Sequence, residues 1–206
     1  MPRCRCWAIR RAQATQQARW PHAPAEISIA VTADSALNLH EEQPHTLMLA
    51  VVQLADDGVD AFGALTADAQ GLRDWLASPS PSPGFLRINR FVLLPGMRAI
   101  LDVDRVQNCH HVGLVLGYYG LDAATATRLF PLTLRLRRHG WLVKTWTAGP
   151  APLQLELLLG TRAIVSAEAV SPQLFGALRA AQRTAAPVSA VPLRVSPGGP
   201  VDGGSW

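Results

Sequence analysis

Phe91-Val92-Leu93-Leu94-Pro95-Gly96-Met97-Arg98-Ala99-Ile100-Leu101-Asp102-Val103-Asp104 is the stretch that decides the fold class. Phe91 to Leu94 is a short apolar run of strand length, suited to burial on both faces. Pro95 presets φ for a turn, and Gly96 supplies a positive φ without steric cost. Beyond the turn, Leu101 and Val103 alternate with Asp102 and Asp104, the period of a strand with one wet face. The reading is of two strands joined at Pro95-Gly96, a central hairpin of a β protein.

The same pattern repeats outward. Ile27, Ile29 and Val31 alternate with Ser28, Ala30 and Thr32 in a first strand over 26–32. Thr46 to Leu54 is continuous enough in Leu, Met and Val to be a central second strand. Between them lies a polar loop, Ala33–Pro44, with Asn38, His40, Glu41 and Glu42. Asp56-Asp57-Gly58 ends the second strand with turn chemistry. A helical insertion follows, with Thr66 as N-cap, Asp68 in the first turn, and Leu65, Leu72, Trp75 and Leu76 on one face. The Pro-rich run Ser78–Gly84 stops it.

Further strands are expected at His111–Tyr119, where Gly113 and Gly117 mark a close approach or bulge, and across Leu132, Leu134 and Leu136. Leu153–Leu159 and Arg162–Ala167 read as a closing hairpin about Gly160-Thr161. Ser171 caps a short helix that starts at Pro172 and runs to about Arg183. Seven to nine short strands imply a mostly β sandwich with a helical insertion and a C-terminal helix. Residues 1–25 read as a disordered leader, 26–185 as the domain and 186–206 as a disordered Pro/Gly-rich tail.

The 206 residues carry a formal net charge of +4. The first 25 residues hold five Arg and no acid, and the remainder holds 14 basic and 15 acidic side chains. A near-neutral body lacks the one-sided field that nucleic-acid binding requires. Three cysteines do not make a disulfide framework, and no apolar run reaches the ~18 residues of a membrane span. Cys4 and Cys6 sit in Pro-Arg-Cys-Arg-Cys-Trp, without the apolar run of an export or lipoprotein signal.

No cluster carries catalysis. Cys109-His110-His111 holds metal-ligand types, but only Cys109 and His111 would share a strand face, with no further ligands at a recognisable spacing. Cys109 beside His110 in sequence is not thereby an activated thiol. Asp102 and Asp104 read as the solvated side of an alternating strand. Arg135, Arg137 and Arg138 read as a solvated basic face. No phosphate loop is present. The expectation is therefore no catalytic residue, no metal and no cofactor.

Leu37-Asn38, Val51-Val52-Gln53-Leu54, Asp56-Asp57 with Phe62, Phe91–Gly96, and Val112-Gly113-Leu114-Val115 with Tyr118-Tyr119 follow in an order and spacing that resembles the TssJ family. TssJ proteins are outer-membrane lipoproteins of the bacterial type VI secretion system. The resemblance spans about residues 26–168. It implies a transthyretin-like β-sandwich, no catalysis, and a scaffold on the periplasmic side of the outer membrane where a lipid anchor exists. It also implies a partner, the periplasmic domain of the inner-membrane protein TssM within the secretion membrane complex. The family's contact loop maps to Ala33–Pro44, which makes Asn38, His40, Glu41 and Glu42 the candidate partner-binding residues. A carbohydrate- or ligand-binding sandwich is the alternative; it needs an exposed aromatic platform, for which Trp141 and Trp146 are the candidates.

Overall fold

The computed structural model describes residues 11–80, 82–140 and 145–184. In chain order the elements are β1 (Ala23–Ala33), β2 (Leu47–Leu54), α1 (Gly58–Leu65), α2 (Ala69–Ala77), β3 (Phe85–Leu93), β4 (Arg98–Arg105), β5 (His111–Leu116), α3 (Ala123–Ala126), β6 (Thr127–Pro131), β7 (Leu134–His139), β8 (Thr145–Pro150), β9 (Leu153–Leu159), β10 (Ile164–Ala169) and α4 (Pro172–Thr184). They build two four-stranded sheets, ordered β10-β9-β1-β4 and β3-β2-β5-β6, and a separate two-stranded ribbon, β7-β8. The mostly β sandwich expected from the alternating patterns is present.

Strand register explains the core. Ile27, Ile29 and Val31 of β1 lie opposite Val103, Leu101 and Ala99 of antiparallel β4, and opposite Leu153, Leu155 and Leu157 of parallel β9. Because side chains alternate, all of these reach one face. In the second sheet Leu49 and Val51 of β2 lie opposite Leu116 and Leu114 of β5. The two sets belong to one buried cluster. Two polar side chains tie the sheets together inside it. Gln53 is fully buried; its Nε2 donates to the Asp104 carbonyl at 2.8 Å and its Oε1 accepts from the Val106 N–H at 2.8 Å. The Tyr118 hydroxyl donates to the Ala163 carbonyl at 2.9 Å, and burial raises its phenol above the ordinary value.

The outer faces are covered as well. α1 and α2 lie over β2 and β5, where a Cβ on Gly113 would come 2.4 Å from Phe62 Cε2. The close approach expected at Gly113 is thus a seat for the Phe62 ring. α4 lies over β1, β4 and β9, with Phe175 buried and Gln182 donating to the Val31 carbonyl.

Several expectations are corrected. Leu94–Met97 closes with a Met97 N–H to Leu94 carbonyl bond, and Gly96 has φ +71°, as Pro-Gly demands. Yet β3 pairs with β2 and β4 pairs with β1, so the turn is a corner between sheets and not a hairpin. Pro followed by a positive-φ Gly is type II geometry, which splays the strands it joins.

Asp68, not Thr66, caps α2, accepting from the Gln70 and Gly71 N–H groups, while Thr66 ends the unforeseen α1. Asp102 is not simply solvated. Its carboxylate pairs with Arg179 of α4 and accepts from Ser28 Oγ at 2.6 Å. Residues 11–16 are helical, β1 already begins at Ala23, and Trp20 packs against the core, where a disordered leader was expected. Residues 1–10 and 186–206 lie outside the described residues.

Candidate functional site

β1 runs from one end of the sandwich to the other, and the loop after it caps the far end. Asp34 accepts from the Gly96 N–H and Leu39 donates to the Thr161 carbonyl, so the loop is tied to the turns after β3 and β9. Asn38 is its buried anchor. With φ +52°, it donates through Nδ2 to the Thr46 carbonyl at 2.7 Å and accepts through Oδ1 from the Tyr119 N–H at 2.9 Å. Asn tolerates this left-handed backbone better than most residues. Asn38 is therefore the structural pin of the loop.

Beyond Asn38 the chain turns back on itself within four residues. His40 and Gln43 exchange both backbone hydrogen bonds, at 3.0 and 2.9 Å. The two residues between them, Glu41 and Glu42, have φ +48° and +61°. Positive φ at both central positions is type I′ geometry, which favours Asn-Gly or Gly-Gly. Each Glu held there costs of order 1–3 kcal/mol. Both are exposed, and Glu41 lies 3.9 Å from His40 Nε2.

The loop also carries an aromatic cluster. The His40 ring stacks on Tyr119 with centroids 4.4 Å apart, and His45 meets Tyr119 edge-on at 5.0 Å. Tyr119 is 53% exposed. It is a candidate contact residue that the sequence reading missed. Its only local signal is a second aromatic directly after Tyr118, where alternation turns one ring outward.

The residues weighed for metal or nucleophilic chemistry lie at the opposite end. Cys109 is fully buried, its Sγ directed at the His111 carbonyl, and burial pushes the thiol up to about 11. His110 Nδ1 sits 2.6 Å from an Asp56 oxygen, and the Trp20 ring lies over His110 at 4.2 Å. His111 Nδ1 is 3.7 Å from Asp56, outside hydrogen-bond range. Cys109 and His111 thus do not converge as a ligand pair. Among the described residues no group of three or more His, Cys, Asp or Glu is placed to hold a metal. Trp146 is half-buried beneath the Arg11 guanidinium, 5.2 Å from its ring centroid. Trp141 and Lys144 lie outside the described residues.

The family model for the type VI secretion lipoproteins (VasD, EvfM, TssJ) matches residues 25–144, more than half of the chain. The chain belongs to this family. Membership puts it among the envelope components of that secretion system. The matched span takes in the acidic loop, the helical insertion and the Pro95-Gly96 corner.

Among solved structures the chain is similar to TssJ1 of Pseudomonas aeruginosa, a type VI secretion lipoprotein, at 20% identity and a TM-score of 0.47, covering 74% of this chain and 98% of that one. It is similar to Lip of Serratia marcescens, a membrane-bound component of the type VI secretion system, at 18% identity and 0.45, covering 73% and 98%. A chain in a structure of the type VI membrane complex is similar at 15% identity and 0.46, covering 75% and 100%. Membership rests on the family match and not on these likenesses. No curated protein matches the chain.

Proposed function

We propose that the protein is a non-catalytic scaffold of the type VI secretion membrane complex, and that its 34–46 loop holds the periplasmic domain of TssM. The observation that carries the reading is the turn at Glu41-Glu42. An acid in the left-handed region at both central positions of a type I′ turn is a local defect in foldability. Residues retained at such a cost on an exposed loop tip are candidates for binding. Asn38, bonded to Thr46 and Tyr119, fixes the turn on the rigid sandwich. Tyr119 and His40 add a stacked aromatic face beside the two carboxylates.

The fitting contact on the partner is a basic patch with an apolar margin. The charges act mainly on the association rate and weaken with salt.

The test is a pair of variants assayed against the TssM periplasmic domain at low and high salt. Glu41→Asn with Glu42→Gly suits the turn and is expected to raise the melting temperature while weakening association. Glu41→Lys with Glu42→Lys is expected to weaken it further, mostly through the on-rate at low salt. Unchanged affinity for both double variants, each with an intact fold, would return the loop to a plain solvated connection.

A further inference from the structure

The ribbon β7-β8 belongs to neither sheet of the sandwich. Arg135, Arg137 and Arg138 are exposed on it. The register sets Arg135 and Arg137 opposite Gly149 and Thr147 on one face, and Arg138 opposite Trp146 on the other. None of the three makes an ion pair among the described residues. Glu26 lines the same cleft of about 230 Å³ as Arg135 and Arg137, but outside ion-pair distance.

Arg11 lies over Trp146, so a fourth guanidinium joins the ribbon, and the sequence ahead of it holds Arg3, Arg5 and Arg10. Glu26 stands at the start of β1, and the acidic loop follows its finish at Ala33. The ribbon and the Glu41-Glu42 turn therefore occupy opposite ends of the sandwich, with roughly 20 Å of strand between them. The arginine cluster of the ribbon and the two carboxylates of the loop tip are thus held far apart.

We propose that the ribbon end docks on the anionic phospholipid surface of the bilayer, so that the acidic loop points away from it. A basic surface near a membrane gains roughly a factor of five in binding for each Arg or Lys that reaches the headgroups. Trp146 is the residue type that settles at the headgroup boundary. The family of this chain is one of lipoproteins, so a bilayer is at hand. A protein body with slightly more acids than bases fits nucleic acid less well. The inference rests on the family's envelope address and is independent of what the acidic loop binds.

The test is sedimentation of the full chain with vesicles of phosphatidylcholine alone and of phosphatidylcholine mixed with phosphatidylglycerol. Binding is expected only to the mixed vesicles, and high salt is expected to release it. Arg135→Glu, Arg137→Glu and Arg138→Glu together are expected to weaken it by roughly a hundredfold, three such factors combined. The Glu41→Asn, Glu42→Gly variant is expected to bind the vesicles like the natural sequence, which separates this surface from the loop. Equal binding to both vesicle types would overturn the proposal. So would undiminished binding by a triple variant of native melting behaviour, or tighter binding to a duplex DNA oligonucleotide than to the mixed vesicles.

Discussion

Leu101→Ala is expected to destabilise the fold by ~2–5 kcal/mol, while Asp102→Ala costs no more than about 1 kcal/mol. Leu101 is 3% exposed, sits opposite Ile29 in the register, and points into the shared core. Truncating it removes buried methyl groups and leaves a cavity that two packed sheets cannot close. Asp102 is the next residue and faces the other way. Its side chain is 37% exposed, and its pairing with Arg179 is the charged tie that holds α4 to the sheet.

Burial alone would raise the Asp102 carboxyl. The hydrogen bonds from Arg179 and Ser28, with the Arg179 charge, outweigh it and hold the group below its ordinary value of 3.8. A carboxyl lowered on folding contributes stability that is fully present above its unfolded value. That stability is lost as pH falls through the lower folded value. The α4 contact is thus expected to be intact at neutral pH and to weaken in acid below about pH 4. Denaturant titration of the two variants checks the first part, and amide exchange of residues 172–184 against pH checks the second. Comparable losses for Leu101→Ala and Asp102→Ala would overturn the assigned facing.

Gly113→Ala is expected to cost ~1–3 kcal/mol, and to couple strongly to Phe62. The added methyl would lie 2.4 and 2.7 Å from Phe62 Cε2 and Cζ, and Phe62 is itself 3% exposed. Relief requires the ring to move, and with it α1. Phe62→Ala alone is expected to cost ~3–5 kcal/mol by cavity formation. In the double variant the new methyl fills part of that cavity, so the two costs do not add. Urea denaturation of the four proteins measures the coupling. Strict additivity would mean that α1 does not seat on β5 as described.

Which parts of this were legible in the sequence follows from the range of the interactions. β1 and β9 were legible because alternation is local and one face of each strand is fully apolar, and β2 because a continuous apolar run of strand length is equally local. The Ser171 cap and the Pro95-Gly96 turn were legible because turn and cap chemistry sits in two or three residues. The sheet to which each arm of that turn belongs was not, since pairing is fixed by β1 and β2, far away in sequence. Asp102 looked solvated because its partner, Arg179, is 77 residues away.

The loop was legible as composition and not as conformation. Glu41 and Glu42 carry no propensity for positive φ, so no local rule would place them in a type I′ turn. Only the exchange of bonds between His40 and Gln43 and the anchoring of Asn38 reveal it. The ribbon was half legible: Leu134 and Leu136 alternate as a strand, but nothing nearby says that the strand joins neither sheet.

The most direct test of the central claim is hydrogen exchange of the full chain, alone and mixed with the TssM periplasmic domain. The account predicts a complex in which amides of residues 34–46 and 117–122 gain protection, while those of 134–139 and 145–150 on the ribbon do not change. A mixture that forms no complex, or one that protects the ribbon or α4 and leaves the 34–46 loop as it was, would contradict it.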